Sequence, residues 1–197
     1  MANTLAPFGF REAMTLVGAT PNFQISTRRI SSANATAIFK GDPVVSDSTG
    51  YIQQAAPGTT QIAGVFVQCK YYSVSQNKTV WSDFWPGSDA DSDVEAYIID
   101  DPNAIFVVQA NPGPIALADV GQNCNFAVGT GNTKSGISGA YLDSTTVGTT
   151  STLPFRIKGY LGDTLFPAAG PGSDPTSAYN WVLVAFNNQD FKSLTGV

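Results

Sequence analysis

The sharpest chemical feature of the sequence is Asp89-Ala90-Asp91-Ser92-Asp93-Val94-Glu95, with an acid at every second position. In extended backbone these carboxylates project to one side and repel one another unless a cation lies between them. The spacing also matches a calcium-binding loop, with Asp100 at its twelfth place. That loop needs glycine at its sixth place for a sharp turn, and Val94 stands there instead. The segment therefore reads as a solvated acidic turn, with Ca²⁺ as the alternative, and no cofactor is expected. Asp100-Asp101 is the other acidic pair. In an extended strand its two side chains point to opposite faces and cannot share a substrate atom. Gly129-Thr130-Gly131-Asn132-Thr133-Lys134-Ser135-Gly136 carries the glycines and the Lys-Ser of a phosphate loop. Thr133, however, replaces the glycine required before the lysine, and strand and turn residues follow where a helix should begin. A hairpin tip is expected there.

The chain has 197 residues and no histidine. The commonest general base and metal ligand is thus missing, and Ser-His-Asp and Cys-His arrangements are excluded. Cys69 and Cys124 sit among apolar neighbours, and two cysteines make neither a disulfide framework nor a zinc site. Buried free thiols are expected, with a bridge as the alternative. Tyr71, Tyr72, Trp81, Phe84 and Trp85 form an aromatic stretch suited to stacking on bases or sugars. A nucleic-acid surface interleaves Lys and Arg, and only Lys70 and Lys78 lie nearby. Core packing or a subunit interface is the better reading. No catalytic residue emerges, so the chain is read as a non-enzyme.

These residues must be positioned by strands. No segment keeps a 3.6-residue apolar stripe over three turns. Short β-branched runs alternate instead with turn residues about every 8–12 positions, the pattern of a sandwich or barrel. Expected strands include Phe23 to Ile30, Ala37 to Ser46 broken by a Lys40-Gly41-Asp42 turn, Gly50 to Gln54, Ile62 to Cys69, Val94 to Ile99, Ile105 to Ala110, Phe126 to Val128, Ile137 to Leu142 and Phe155 to Leu161. Leu117 to Gly121 reads as one helical turn. Trp181 to Phe186 is apolar throughout, as befits a central strand covered on both faces. The fold class is all-β: a small barrel or sandwich-like body of short antiparallel strands, with an extended N-terminal arm. The arm is placed at residues 1–22 and the body at 23–197. No apolar run approaches the ~18 residues of a membrane helix. The N-terminus lacks the pattern of a secretory signal, so synthesis in the cytosol is expected.

Charged residues make only 13% of the chain, against about 25% in typical domains, and the net charge is −5. This argues against nucleic acid or membrane as the partner. Residues 1–41 hold Arg11, Arg28, Arg29 and Lys40 against one acid, Glu12. Eight acids and no basic residue lie between Lys78 and Lys134. The mildly basic N-terminal part and the acidic middle are suited to different surfaces.

Six phrases, taken in order, resemble virion structural proteins of tailed phages. They are Pro7-Phe8-Gly9-Phe10-Arg11; Ala37-Ile38-Phe39-Lys40-Gly41-Asp42-Pro43-Val44; Thr49-Gly50-Tyr51-Ile52; Ile62-Ala63-Gly64-Val65-Phe66; Trp81-Ser82-Asp83-Phe84-Trp85-Pro86; and Asp100-Asp101-Pro102-Asn103. The succession Lys-Gly-Asp-Pro-Val, Thr-Gly-Tyr, Ile-Ala-Gly-Val-Phe is also similar to the small β-barrel module of capsid decoration, or cement, proteins. The resemblance implies a structural protein on the capsid exterior, assembled in the host cytoplasm. Its implied partner is the major capsid protein, and clustering as homotrimers or dimers is expected. Phe8, Phe10, Arg11, Arg28 and Arg29 are the expected capsid-interface residues, with the arm docking by aromatic burial or strand addition. The competing expectation is an arm folded back on its own body. Other virion roles (head-tail connector, tail tube, spike), a carboxylate-dependent glycan-degrading enzyme and a carbohydrate-binding module remain the alternatives.

Overall fold

The computed structural model describes residues 2–16, 18–21 and 23–193. Met1, Val17 and Asn22 of the expected arm, and residues 194–197 of the expected body, lie outside the described residues. The strands are β1 (Arg11–Thr15), β2 (Ser26–Ile30), β3 (Ile38–Phe39), β4 (Pro43–Ser46), β5 (Ile52–Gln54), β6 (Gly64–Ser73) and β7 (Lys78–Ser82). They continue with β8 (Phe84–Trp85), β9 (Val94–Ile99), β10 (Ala104–Asn111), β11 (Asn123–Ala127), β12 (Tyr141–Gly148), β13 (Phe155–Tyr160) and β14 (Trp181–Phe186). Leu117–Asp119 makes a single 3₁₀ turn, and no α-helix occurs among the described residues. The all-β reading of the sequence is the observed class.

Five strands close into a barrel in the order β10-β12-β11-β13-β14, with β14 returning to pair with β10. All its pairings are antiparallel except β10–β12. The other edge of β10 is shared: β12 takes its end at Ala110 and Asn111, and β1 takes Ala104 to Val107. Inside lie Phe106, Val108, Phe126, Leu142, Phe155, Ile157, Val182, Val184 and Phe186. The expected central run is explained by what covers its outer face. Leu183 and Ala185 point out of the barrel and pack with Ile105 under Ala13, Met14, Leu161 and Phe166. In β13 the same geometry gives clean alternation, with Phe155 and Ile157 buried and Arg156 and Lys158 exposed.

The second sheet is open, in the order β2-β9-β6-β4-β5, with β7 continuing along β6. Its inner face buries Ile30, Val44, Ile52, Phe66, Cys69, Tyr71, Val94, Ala96 and Ile98, and the β3–β8 ribbon adds Ile38 and Trp85. Asn77, with φ of +52°, makes the tight turn between β6 and β7. Strands β1, β7 and β8 are not among those expected, and one expected strand is displaced. Residues 137–142 are mostly loop, and the strand runs instead from Tyr141 to Gly148. The Asp143-Ser144-Thr145-Thr146 stretch looks like a loop in sequence. Its threonines lie where the β11–β12 register shifts, between the Asn125–Asp143 and Asn123–Gly148 pairs, and Asp143 accepts from the Thr145 N–H and hydroxyl.

The segment beginning at Phe8 belongs to the body. Phe10 is 2% exposed and lies in the barrel core, stacked on Phe155 with ring centroids 4.4 Å apart and edge-on to Phe106 and Phe126. Phe8 is also buried, edge-on to Trp181 at 4.8 Å. The expectation that these two rings anchor a neighbour is therefore corrected. Phe10 joins Phe106, Phe126, Phe155 and Phe186 of the barrel strands in filling the centre. Full burial of each ring is worth about 1.5–3 kcal/mol, here gained within the chain.

Candidate functional site

The barrel and the open sheet meet at the Lys40-Gly41-Asp42 turn, where the chain makes its densest polar connections. Gly41 has φ of +95°; its carbonyl accepts from the Phe10 N–H at 2.9 Å and its own N–H donates to the Phe66 carbonyl at 2.8 Å. Gly9, at φ +74°, donates to the Ala140 carbonyl at 3.1 Å. A Cβ at Gly9 would stand 2.7 Å from the Ser138 Cβ and 2.8 Å from the Gly41 carbonyl oxygen, so only glycine fits. The Lys40 N–H donates to the Asp83 and Gly136 carbonyls, and the Lys40 carbonyl accepts from the Ser138 N–H.

At the centre is Asp42, fully buried. Its carboxylate accepts from the Phe39 N–H at 2.8 Å, from Gln54 Nε2 at 2.7 Å and from the Ser138 hydroxyl. Loss of water around it raises its pKa above the ordinary 3.8, and the bonds from Ser138, Phe39 and Gln54 oppose that rise in part. The neighbouring Lys40 ammonium is paired with Asp83 at 3.5 Å. This buried acid escaped the sequence reading, which saw only a turn. The legible signal was an Asp between apolar strands with a polar Gln54 nearby in sequence. Ser138, the remaining partner, lies 96 residues away.

Beside the junction opens a groove of about 610 Å³. Val65, Val67, Ile99 and Ile137 make its apolar floor, and Arg11, Lys40, Asp83 and the exposed Phe23 stand around it. Among the expected interface residues only Phe8, Phe10 and Arg11 border this groove. Arg11 is exposed and lies over the Phe8 ring at 4.7 Å. Arg28 and Arg29 are successive residues of β2 and face opposite ways. Arg28 pairs with Asp100 at 3.5 Å and lies over Phe191, whereas Arg29, its side chain 74% exposed, pairs with Asp93 at 3.8 Å. Arg11 borders this groove and Arg29 a separate depression beside Ser92 to Glu95, so the three arginines form no single basic patch.

The acids of 89–95 also disperse. Asp89 accepts from the Ser73 hydroxyl and the Ser75 N–H, Asp93 from the Tyr51 hydroxyl, and Glu95 from the Tyr97 hydroxyl. Among the described residues no group of three or more potential ligands converges as a metal site. Asp100 is buried against Ser26 and Arg28, while Asp101 caps its own turn at the Asn103 N–H. Gly131 packs on the Phe39 ring, and Asn132 accepts from the Lys134 and Ser135 N–H groups, which makes the glycine-rich segment a braced loop. Cys69 and Cys124 are free thiols, one in each core, and burial pushes both up to about 12. The aromatic stretch divides. Tyr71 and Trp85 are in the core, edge-on to each other at 5.1 Å, while Tyr72 and Trp81 are exposed.

The chain matches no family model, and it matches no curated protein and no solved structure.

Proposed function

We propose that this chain is a non-enzymatic virion structural protein that binds the outer surface of a major capsid lattice and stabilises the head. The observation that carries the reading is where its phage-like phrases meet. Four of the six phrases, scattered from Pro7 to Pro86, come within hydrogen-bond distance at Lys40 to Asp42. Phe10 donates to Gly41, Gly41 donates to Phe66, Phe66 donates to Asp42, and Lys40 donates to Asp83. Four of the phrases that carry the resemblance are thus brought together at one joint of this chain. Two glycines within the phrases are sterically required: a Cβ would stand 2.7 Å from the Ser138 Cβ at Gly9 and 2.6 Å from the Ile99 carbonyl oxygen at Gly64.

A β body with buried thiols, and with Phe8 and Phe10 packed within it, suits a subunit that acts by surface complementarity on a repeating lattice, where many weak contacts add. Arg11 and Arg29 are the interface residues that remain exposed in this reading, and the two aromatic anchors are withdrawn from it. Quantitative mass spectrometry of purified, DNA-filled particles tests the proposal. The polypeptide is expected at a copy number comparable to that of the major capsid protein. Tens of copies would assign it to a connector or spike, and its absence would remove it from the virion.

A further inference from the structure

The second face of the open sheet packs on the barrel at Val65 and Ile99, but its far end, at Lys70, Trp81, Glu95 and Tyr97, is left uncovered by the barrel, and the side chains there are not a random polar surface. Cys69, Tyr71, Ala96 and Ile98 of β6 and β9 point into the second core. By the two-residue period, Gln68, Lys70 and Tyr72 of β6 point outward. The register places Trp81 of β7 opposite Lys70, and Lys70 opposite Glu95 of β9; Tyr97 stands opposite Gln68. Trp81 is 58% exposed and Tyr72 is 42% exposed. The Trp81 and Tyr97 rings stack on each other, within 21° of parallel with centroids 5.5 Å apart, and make one aromatic cluster across the strands. Its polar rim is held in place: Lys70 Nζ is 5.3 Å from the Trp81 ring and 3.6 Å from Glu95, which accepts from the Tyr97 hydroxyl at 2.8 Å.

We infer that this face is a binding site for a neutral glycan chain. A pyranose ring has an apolar C–H face that stacks on an aromatic ring and a rim of hydroxyls that exchange hydrogen bonds with amide, ammonium and carboxylate groups. Trp81 and Tyr97 supply the first requirement, and Lys70, Glu95 and Gln68 the second. Charge argues against a polyanion. Each cation on the face already has its acid, Lys70 with Glu95 and Arg29 with Asp93, so little positive potential is left for phosphates. The same ion pairs argue against a protein partner, because protein interface cores are depleted in Lys, Glu and Asp. A polyol tolerates them, since it keeps the charged groups hydrogen-bonded.

The test is titration of the full chain with maltohexaose, cellohexaose and chitohexaose at up to millimolar concentration, read by tryptophan fluorescence and calorimetry. At least one of these is expected to bind saturably. Trp81→Ala should weaken that binding by about tenfold or more, and Trp81→Phe, which keeps a ring, by less. Trp81 is largely outside the core, so far-ultraviolet circular dichroism and the thermal midpoint of both variants should match the parent. Three outcomes overturn the inference: none of the three glycans binds; one binds equally well to folded Trp81→Ala; or the parent self-associates through this face and Trp81→Ala restores the monomer.

Discussion

The barrel and the open sheet are made of similar short strands, but they dispose of their outer surfaces in opposite ways. Around the barrel, closure satisfies the strand edges, and Leu183 and Ala185 on the outside of β14 are covered by β1 and by Leu161 and Phe166. In the open sheet one face is core, and the other is shared between the barrel, which buries Val65 and Ile99, and solvent, which holds Trp81 and Tyr72. The barrel is filled by an intruder, Phe10, whereas the sheet is capped by its own ribbon through Trp85. Closure removes the barrel's free edges, although its outer face still presents side chains such as Arg156 and Lys158.

This contrast can be broken most forcefully at Phe10. Phe10→Ala empties the centre of the barrel and should cost about 3–5 kcal/mol in urea denaturation, with the m-value read alongside to check two-state behaviour. A loss below about 1 kcal/mol would mean that the incoming segment is an appendage to a barrel stable without it. Asp42→Ala, at the joint, should cost about 1–3 kcal/mol by leaving the Phe39 N–H, Gln54 and Ser138 without their acceptor.

The joint also has a pH signature. The folded pKa of Asp42 is raised, so its contribution to stability is fully present below 3.8 and is lost as pH rises through the folded value. Asp89 and Asp174 are held low by hydrogen bonds, the latter to about 2, and act in the opposite sense. The stability of the parent relative to Asp42→Asn should therefore fall as pH climbs from 3.8, and a flat or rising difference would contradict the buried, cation-free placement of this acid.

Thiol labelling separates the two regions directly. Cys69 lies in the core of the open sheet and Cys124 in the barrel, both buried and pushed up to about 12. In native buffer both should react slowly, through opening. Cys69 should be modified about tenfold faster, because an open sheet with free edges opens at lower cost. Equal rates would show the two regions opening as one unit. The smallest effect is expected at Trp81, where alanine should change stability by less than about 0.5 kcal/mol.

Much of this architecture was legible in the sequence, for identifiable reasons. The run Trp181 to Phe186 announced a doubly covered strand because no polar alternation broke it. The Lys40-Gly41-Asp42 turn announced itself through glycine. The strand at Tyr141–Gly148 was hidden because Ser and Thr serve equally in loops and in pleats. Phe10 was legible as an apolar group lacking local partners, but its destination, Phe155, is 145 residues away, and no local signal names it. The division of the aromatic stretch was decided by register. Tyr71 and Tyr72 are adjacent, so one must face in and the other out, and only the pairing of β6 with β9 says which. Arg28 and Arg29 diverge for the same reason, since they are neighbours on one strand.

Reconstruction of the intact particle by cryo-electron microscopy, at a resolution that traces side chains, bears most directly on the proposed role. The account predicts density for this fold on the outer shell, repeated at every equivalent lattice position, with Phe10 inside its own barrel. Density confined to the tail or to a single vertex, or a capsid exterior bare of this fold, would contradict it.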